Sequence, residues 1–267
     1  MIRDDPTTGG SRAIESAIRA ANREGRPALT AFLTAGYPRR DRFVETLLAI
    51  AEEADLVEVG VPFSDPMADG VTIQRASRAA LESGVSFPWI LKEIARADPP
   101  APILLMSYLN PLLAFGSDRL GPAAAGAGVA GFIIPDLPVE ESVELQEAME
   151  PHGLGIVQFV TPVTPVDRMA EICARSRGFV YAVTRTGTTG GRFETAGAAE
   201  MLAQVREISE RPVQAGFGVR EAAQVRELAP HVDGLIVGSA LVEKLEAGED
   251  ATAFLRTLRT ATAGGTR

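Results

Sequence analysis

Val57-Glu58-Val59-Gly60-Val61-Pro62-Phe63-Ser64-Asp65-Pro66-Met67-Ala68-Asp69-Gly70 passes from a strand to a loop to the start of a helix and carries two isolated carboxylates on the way. The apolar run from Ala54 to Val61 reads as a strand with Glu58 close to its end. A Pro/Ser/Asp-rich loop follows, and Asp69 stands just before a helix-like run at 72–83. A charge among strand residues that should be buried is costly unless it is paired or used. Two carboxylates in different surroundings are one way to obtain an acid and a base at neutral pH. Structural readings stay open beside this one: Glu58 as a buried acid paired with an arginine or capped by backbone donors, and Asp69 as a turn or N-cap residue. That both acids belong to one strand–loop–helix unit shifts the balance toward catalysis.

The same unit recurs along the chain. Strand-like runs lie at 28–33, 56–59, 103–107, 131–134, 154–159, 178–183, 213–215 and 234–237. Between them fall periodic helical segments at 42–53, 72–83, 142–150, 166–175, 198–207 and 220–228, with further helix-like runs at 89–97 and 240–247. Strands this apolar are buried on both faces, the mark of a parallel sheet covered by helices. Eight strand–helix units in 267 residues is the count of an α/β (β/α)8 TIM barrel. An open doubly wound sheet is the competing architecture. An extra N-terminal helix at 12–24 precedes the first strand and is placed to cover the barrel floor, while 251–261 closes the chain. The alanine-rich stretch 123–130 reads as a turn. No linker divides the chain, so 1–267 is expected to form a single domain with a core of about 12–261. Residues 1–10, polar and without the apolar run of a signal peptide, and 263–267 are expected to be loose tails.

Composition narrows the chemistry. A net charge of −9 argues against broad electrostatic binding to nucleic acid or anionic membrane. No apolar run is long enough for a membrane span. The one cysteine, Cys173, sits in a helix-like run and reads as a small buried residue; its solitude fits a reducing, cytoplasmic setting. The only histidines, His152 and His231, each adjoin a proline, so a metal site of converging ligands is not expected. The only lysines, Lys92 and Lys244, lie in helix-like runs rather than at strand ends, which argues against a Schiff-base enzyme.

In such barrels chemistry sits at the C-terminal ends of the strands. That rule selects Phe32 to Thr34, Glu58 with Asp69, Tyr108 and Asn110, Asp136, Thr161, Tyr181 and Arg185, then Gly216-Phe217-Gly218 and Gly238-Ser239. The last two groups read as a phosphate site, with backbone free to approach a ligand and a helix start after Gly238. A plain glycine turn and a serine N-cap are the alternative. The loop 186–192, rich in glycine and threonine, reads either as a lid or as an ordinary surface loop. Asp65 and Asp136 are loop acids suited to surface or contact roles, and Trp89 reads as packing.

At this point the residues resemble a family. The stretch from Val57 to Gly70 is similar to the signature of the tryptophan synthase alpha chains. The likeness runs in matching order through Phe32-Leu33-Thr34-Ala35-Gly36-Tyr37-Pro38, Tyr108-Leu109-Asn110-Pro111, Asp136 to Glu141, Gly187 to Gly190, Gln214 to Gly218 and Gly238-Ser239-Ala240. The resemblance implies a TIM barrel that cleaves indole-3-glycerol phosphate into indole and glyceraldehyde 3-phosphate, without a cofactor in this chain. It also implies a beta-chain partner that carries pyridoxal phosphate, in an alpha2beta2 heterotetramer. By the same resemblance Glu58 and Asp69 are catalytic, and Phe32, Tyr108, Tyr181, Thr189 and Phe217 are substrate-pocket positions. Gly190, Gly216, Gly218, Gly238 and Ser239 would hold the phosphate, and Pro62, Phe63, Asp65 and Asn110 would face the beta chain. Thr188 departs from the valine usual in the family. A stand-alone lyase releasing free indole is a close alternative. A sugar-phosphate isomerase would be expected to show a histidine or lysine at a strand end, and a non-catalytic regulatory subunit is disfavoured by retention of both Glu58 and Asp69.

Overall fold

Side-chain alternation explains why the strands read as unbroken apolar runs. In β1 (Ala28–Thr34) every residue is buried, but the two faces serve different cores. Leu29, Ala31 and Leu33 pack outward into the large core shared with the helices, whereas Ala28 belongs to an inner cluster. That inner cluster draws Leu56, Leu104, Ile133, Val157, Tyr181 and Ile236 from six further strands. A strand apolar on both sides therefore has two apolar partners, the helical layer outside and the barrel lumen inside.

The computed structural model, which describes residues 9–184, 195–216 and 218–262, closes eight parallel strands into a barrel in sequence order. After β1 come β2 (Leu56–Gly60), β3 (Ile103–Met106), β4 (Val129–Ile133), β5 (Gly155–Val160), β6 (Val180–Val183), β7 (Val213–Gly216) and β8 (Gly234–Val237). Pairing of β1 with β8, in the register Ala28↔Gly234 through Ala31↔Val237, leaves no open edge and excludes the open sheet. The helices are α1 (Gly10–Arg23), α2 (Phe43–Glu53), α3 (Val71–Glu82), α4 (Phe87–Ala97), α5 (Leu109–Phe115), α6 (Ser117–Gly126), α7 (Val143–Met149), α8 (Val166–Arg175), α9 (Thr195–Ile208), α10 (Ala222–Leu228), α11 (Ser239–Glu246) and α12 (Ala251–Thr262).

The N-terminal helix α1 does cover the floor. Ile14 and Ile18 are fully buried and join the inner cluster. The Ser11 N–H donates to the Gly153 carbonyl at 3.1 Å, and Asn22 Nδ2 donates to the Asp233 carbonyl at 2.8 Å, tying the helix to chain just ahead of β5 and β8. Beside it Arg26 forms a two-pronged ion pair with Asp55, at 2.6 and 2.8 Å. Asp55 also accepts the Leu29 N–H at 2.8 Å, so a single carboxylate joins the starts of β1 and β2.

One segment differs from expectation. The stretch 123–130 is not a turn: residues 123–126 end α6, and β4 begins at Val129, two residues earlier than its apolar run suggests. Alanine is a strong helix former, and tertiary packing of Ala124 carries the helix on. Two helices, α5 and α6, fill the connection between β3 and β4, where prolines mask the helical pattern. Pro111 lies in the first turn of α5, where a missing N–H is tolerated, and Pro122 is accommodated inside α6.

Ile14→Ala would open a cavity in the floor and should lower stability by about 2–5 kcal/mol, read as a shift of the urea unfolding midpoint. A loss under about 0.5 kcal/mol, typical of a surface site, would show that α1 does not seal the barrel.

Candidate active site

Glu58 is the third residue of β2, with its Cα opposite Phe32 of β1 and Leu104 of β3. The alternation that sends Leu56 inward sends Glu58 inward as well, one layer nearer the C-terminal end. It is 1 % exposed, and its Oε1 has no hydrogen-bond partner. The arginine pairing envisaged as its structural alternative is absent among the described residues, where burial alone acts on the group. Burial without a counter-charge pushes the carboxyl pKa up to about 8.

Asp69 lies in the loop between β2 and α3, and the N-cap of α3 is Gly70 instead. The loop is tied at both sides of Asp69. The Tyr108 hydroxyl accepts the Ala68 N–H at 2.9 Å, and Gln74 Nε2 donates to the Asp69 carbonyl at 2.8 Å. Burial raises the Asp69 pKa, and a hydrogen bond from Tyr108 opposes that rise. The two acids thus have different settings: Glu58 is surrounded by apolar groups, whereas Asp69 has a phenol donor. Desolvation pushes the Tyr108 phenol up to about 12, so it stays a donor at neutral pH. Buried Tyr181 is also raised, by desolvation first and then by the charges of Glu58 and Asp69.

Glu58 and Asp69 face a cavity of about 400 Å³. Phe32, Met106, Tyr181 and Ile236 give it apolar walls, and Gly218, Gly238, Ser239 and Ala240 line another part. Gly238 is the N-cap of α11, so the first turn of that helix opens on the cavity, with the partial positive charge a helix start provides. Gly218 has φ +109°, a conformation that favours glycine.

Gly216 lies outside the lining of this cavity. A Cβ there would sit 2.3 Å from the Tyr181 hydroxyl, and its carbonyl accepts the Thr184 hydroxyl at 3.0 Å. The glycine at 216 therefore makes room for the Tyr181 ring, which also packs on Phe159 at 4.8 Å between centroids. Tyr108 lines a smaller adjoining space with Phe32 and Asp69. Thr189, Gly190 and Phe217, with Thr188, Arg185 and the 186–192 loop, lie outside the described residues.

Of the residues expected to face a partner, Pro62 is buried, Phe63 packs on Tyr108 at 5.2 Å, and Asp65 and Asn110 are exposed. Asp65 accepts the Ser64 hydroxyl at 2.6 Å. Met67, on the same loop, is 75 % exposed. Asp136 accepts the Leu109 N–H at 2.9 Å and so braces the turn after β3. Trp89 packs on Phe43 beneath the Arg40 guanidinium, and Cys173 is buried. No cluster of potential metal ligands occurs among the described residues, and no helix there is long and apolar enough to cross a membrane.

Sequence reading missed the polar residues beside the helix start: Thr72, Arg220, Gln224 and Glu243 all line the cavity. Arg220 follows Gly218 by two residues, and that proximity to an expected phosphate loop was the available signal. Glu243 could be found only by folding α11, since it sits one helical turn after Ser239.

The profile of the family described as Tryptophan synthase alpha chain matches residues 18–264. An alpha chain from Desulfovibrio desulfuricans is 45% identical over 248 residues, covering 91% of this chain and 97% of that relative. One from Chloroflexus aurantiacus is 43% identical over 257 residues, covering 92% and 96%. Among solved structures, a chain of tryptophan synthase from Mycobacterium tuberculosis superposes with a TM-score of 0.87 at 36% identity, covering 94% of this chain and 98% of that one. The tryptophan synthase alpha chain of Legionella pneumophila gives 0.82 at 29% identity, covering 94% and 97%.

The buried acid makes a pH-dependent prediction. Folded Glu58 keeps its proton up to about pH 8, whereas an unfolded glutamate releases it near 4.5. The unfolded state is favoured progressively across that window, so the Glu58 contribution to stability is fully present below it and falls as pH rises through it. Glu58→Gln cannot ionise. Its urea midpoint relative to wild type should climb from about pH 5 to about pH 8 and then level off. A difference that stays constant over this range would mean that Glu58 titrates normally.

Proposed function

This chain belongs to the tryptophan synthase alpha chain family, and on that premise we propose that the cavity between Glu58 and Gly238 is where indole-3-glycerol phosphate is cleaved to indole and glyceraldehyde 3-phosphate. The observation that carries the reading is Glu58: a fully buried carboxyl with an unpartnered oxygen and a pKa of about 8, facing a cavity that also holds Asp69.

Breaking the bond between the indole ring and the glycerol chain needs somewhere for the bonding electron pair to go, and the indole ring can accept it. Neutral Glu58 donates its proton to indole C3, and the positive charge develops at the ring nitrogen. Asp69, ionised with the help of Tyr108, accepts a hydrogen bond from the indole N–H and stabilises that charge. The Glu58 carboxylate then takes the proton of the adjacent glycerol hydroxyl. As that hydroxyl becomes a carbonyl, the carbon–carbon bond breaks and its electrons return to the ring, releasing indole. One residue acts first as acid and then as base, which suits a pKa near neutrality. Phe32 and Tyr181 would flank the indole, with Phe217 and Tyr108 beside them. Gly218, Gly238, Ser239 and Gly190 would hold the phosphate through backbone N–H groups, Gly216 would support Tyr181, and Thr189 would close over the site.

In this reading the chain works in the cytoplasm as one barrel domain in an alpha2beta2 heterotetramer. Its loop at Pro62, Phe63 and Asp65, with Asn110, meets the beta chain, which uses pyridoxal phosphate to join indole to serine. Following indole and glyceraldehyde 3-phosphate from the purified chain, with and without a beta chain, tests the assignment. Slow cleavage that rises sharply with the beta chain supports it, and fast cleavage indifferent to the beta chain would indicate a stand-alone lyase. Absence of cleavage in both cases would overturn it.

Glu58→Gln should abolish cleavage while leaving substrate binding measurable, and near-normal turnover would remove Glu58 from the chemistry. Asp69→Asn should lower kcat by roughly a hundredfold or more, the scale of losing one charge-stabilising group. A loss below about threefold, worth under 0.7 kcal/mol of barrier, would demote Asp69 to positioning the loop.

A further inference from the structure

The phosphate end of the cavity carries one cation among its described lining residues, Arg220, and that cation is already engaged. Its guanidinium donates to both carboxylate oxygens of Glu243 in an ion pair whose two side chains are partly exposed. Glu243 sits four residues after Ser239 on α11, hence on the same helical face and one turn along. The guanidinium is thus held by a residue one helical turn beyond the helix start that opens on the cavity. The backbone of Arg220 is anchored independently, because its N–H donates to Gln224 Oε1 at 2.7 Å and Gln224 caps α10. Only the side chain has to move for the charge to swing from Glu243 to the helix start.

Electrostatics favours that exchange when a phosphate arrives. Besides protonated Glu58, the lining carries the carboxyl groups of Asp69 and Glu243, so a phosphate dianion enters an acidic cavity and gains most from a cation that can turn toward it. Releasing Arg220 does not strand Glu243 in an apolar place. The carboxylate is 37% exposed, and it also accepts the Thr72 hydroxyl at 3.1 Å, in the first turn of the helix that follows Asp69. A second sign that this cavity is built for a ligand is the orphaned Oε1 of fully buried Glu58.

We infer that Arg220 is a phosphate ligand of this site, held in reserve by Glu243 until the substrate phosphate draws it away. The inference rests on the proposed phosphate site at Gly218, Gly238 and Ser239. It makes Glu243 a competitor of the phosphate rather than a support of the fold, and that reverses the sign expected of breaking an ion pair.

The test measures binding of glycerol 3-phosphate by calorimetry and the cleavage kinetics of wild type, Arg220→Ala, Arg220→Lys, Glu243→Gln and Arg220→Ala/Glu243→Gln. Arg220→Ala should weaken glycerol 3-phosphate binding and raise KM roughly tenfold with a much smaller change in kcat, the pattern of lost uniform binding. Arg220→Lys should recover part of that loss. Glu243→Gln should tighten binding by about threefold in the Arg220 background and do nothing in the Arg220→Ala background, the non-additivity of a coupled pair. Unchanged binding and KM in Arg220→Ala, or weaker binding in Glu243→Gln, would overturn the inference while wild-type cleavage left the proposed function intact. A wild-type chain that neither binds glycerol 3-phosphate nor cleaves indole-3-glycerol phosphate would overturn both.

Discussion

Everything distinctive about this barrel follows from keeping one carboxyl away from water without giving it a counter-ion. An ionised Glu58 would be prohibitively unstable in such a place, so the group retains its proton instead. That condition demands a lumen filled to one layer below Glu58 by side chains from every side, and the inner cluster of strand residues with Ile14 and Ile18 supplies it. It also demands that cations stay at the periphery. Arg26 is consumed by Asp55 at the floor, and Arg220 by Glu243 at the other end. Both arginines are thus paired with other carboxylates and neither serves as a counter-ion to Glu58.

The neighbourhood of Glu58 is built by small residues that yield space to large ones. Gly60 leaves room for the Phe32 ring and Gly216 for the Tyr181 phenol, each so close that a methyl group would collide. Two aromatic walls are positioned by the lack of a side chain on an adjacent strand. Tyr108, held by the Ala68 N–H on one side and Phe63 on the other, joins β3 to the loop of β2. The loop that carries Asp69 is consequently part of the barrel rim rather than a free excursion from it.

Much of this was legible from residues alone. Eight two-faced apolar runs announced a covered parallel sheet, and the strand-end rule selected Glu58, Asp69, Tyr108, Tyr181 and Ser239, all of which the fold brings to one end. Periodicity failed at 109–126, where prolines and alanines hid α5 and α6, because local composition says turn while tertiary packing says helix. Gly216 was read as a place for a ligand, whereas the structure fills its space with a ring from β6. Sequence spacing cannot distinguish those uses, since both need only a missing Cβ. The Arg220–Glu243–Thr72 set joins residues on or beside three helices, and only Arg220, two residues after Gly218, carried a signal in the sequence.

With α1 seated in its floor, the barrel is a well and not a tunnel. Both acids and the helix start line a cavity at its one open end, so an elongated molecule with an aromatic head and an anionic tail loads by that end. Unloading runs in reverse through the same opening. Traffic is therefore single file, and whatever sits over the brim, be it a lid or a neighbouring protein, governs arrival and departure together.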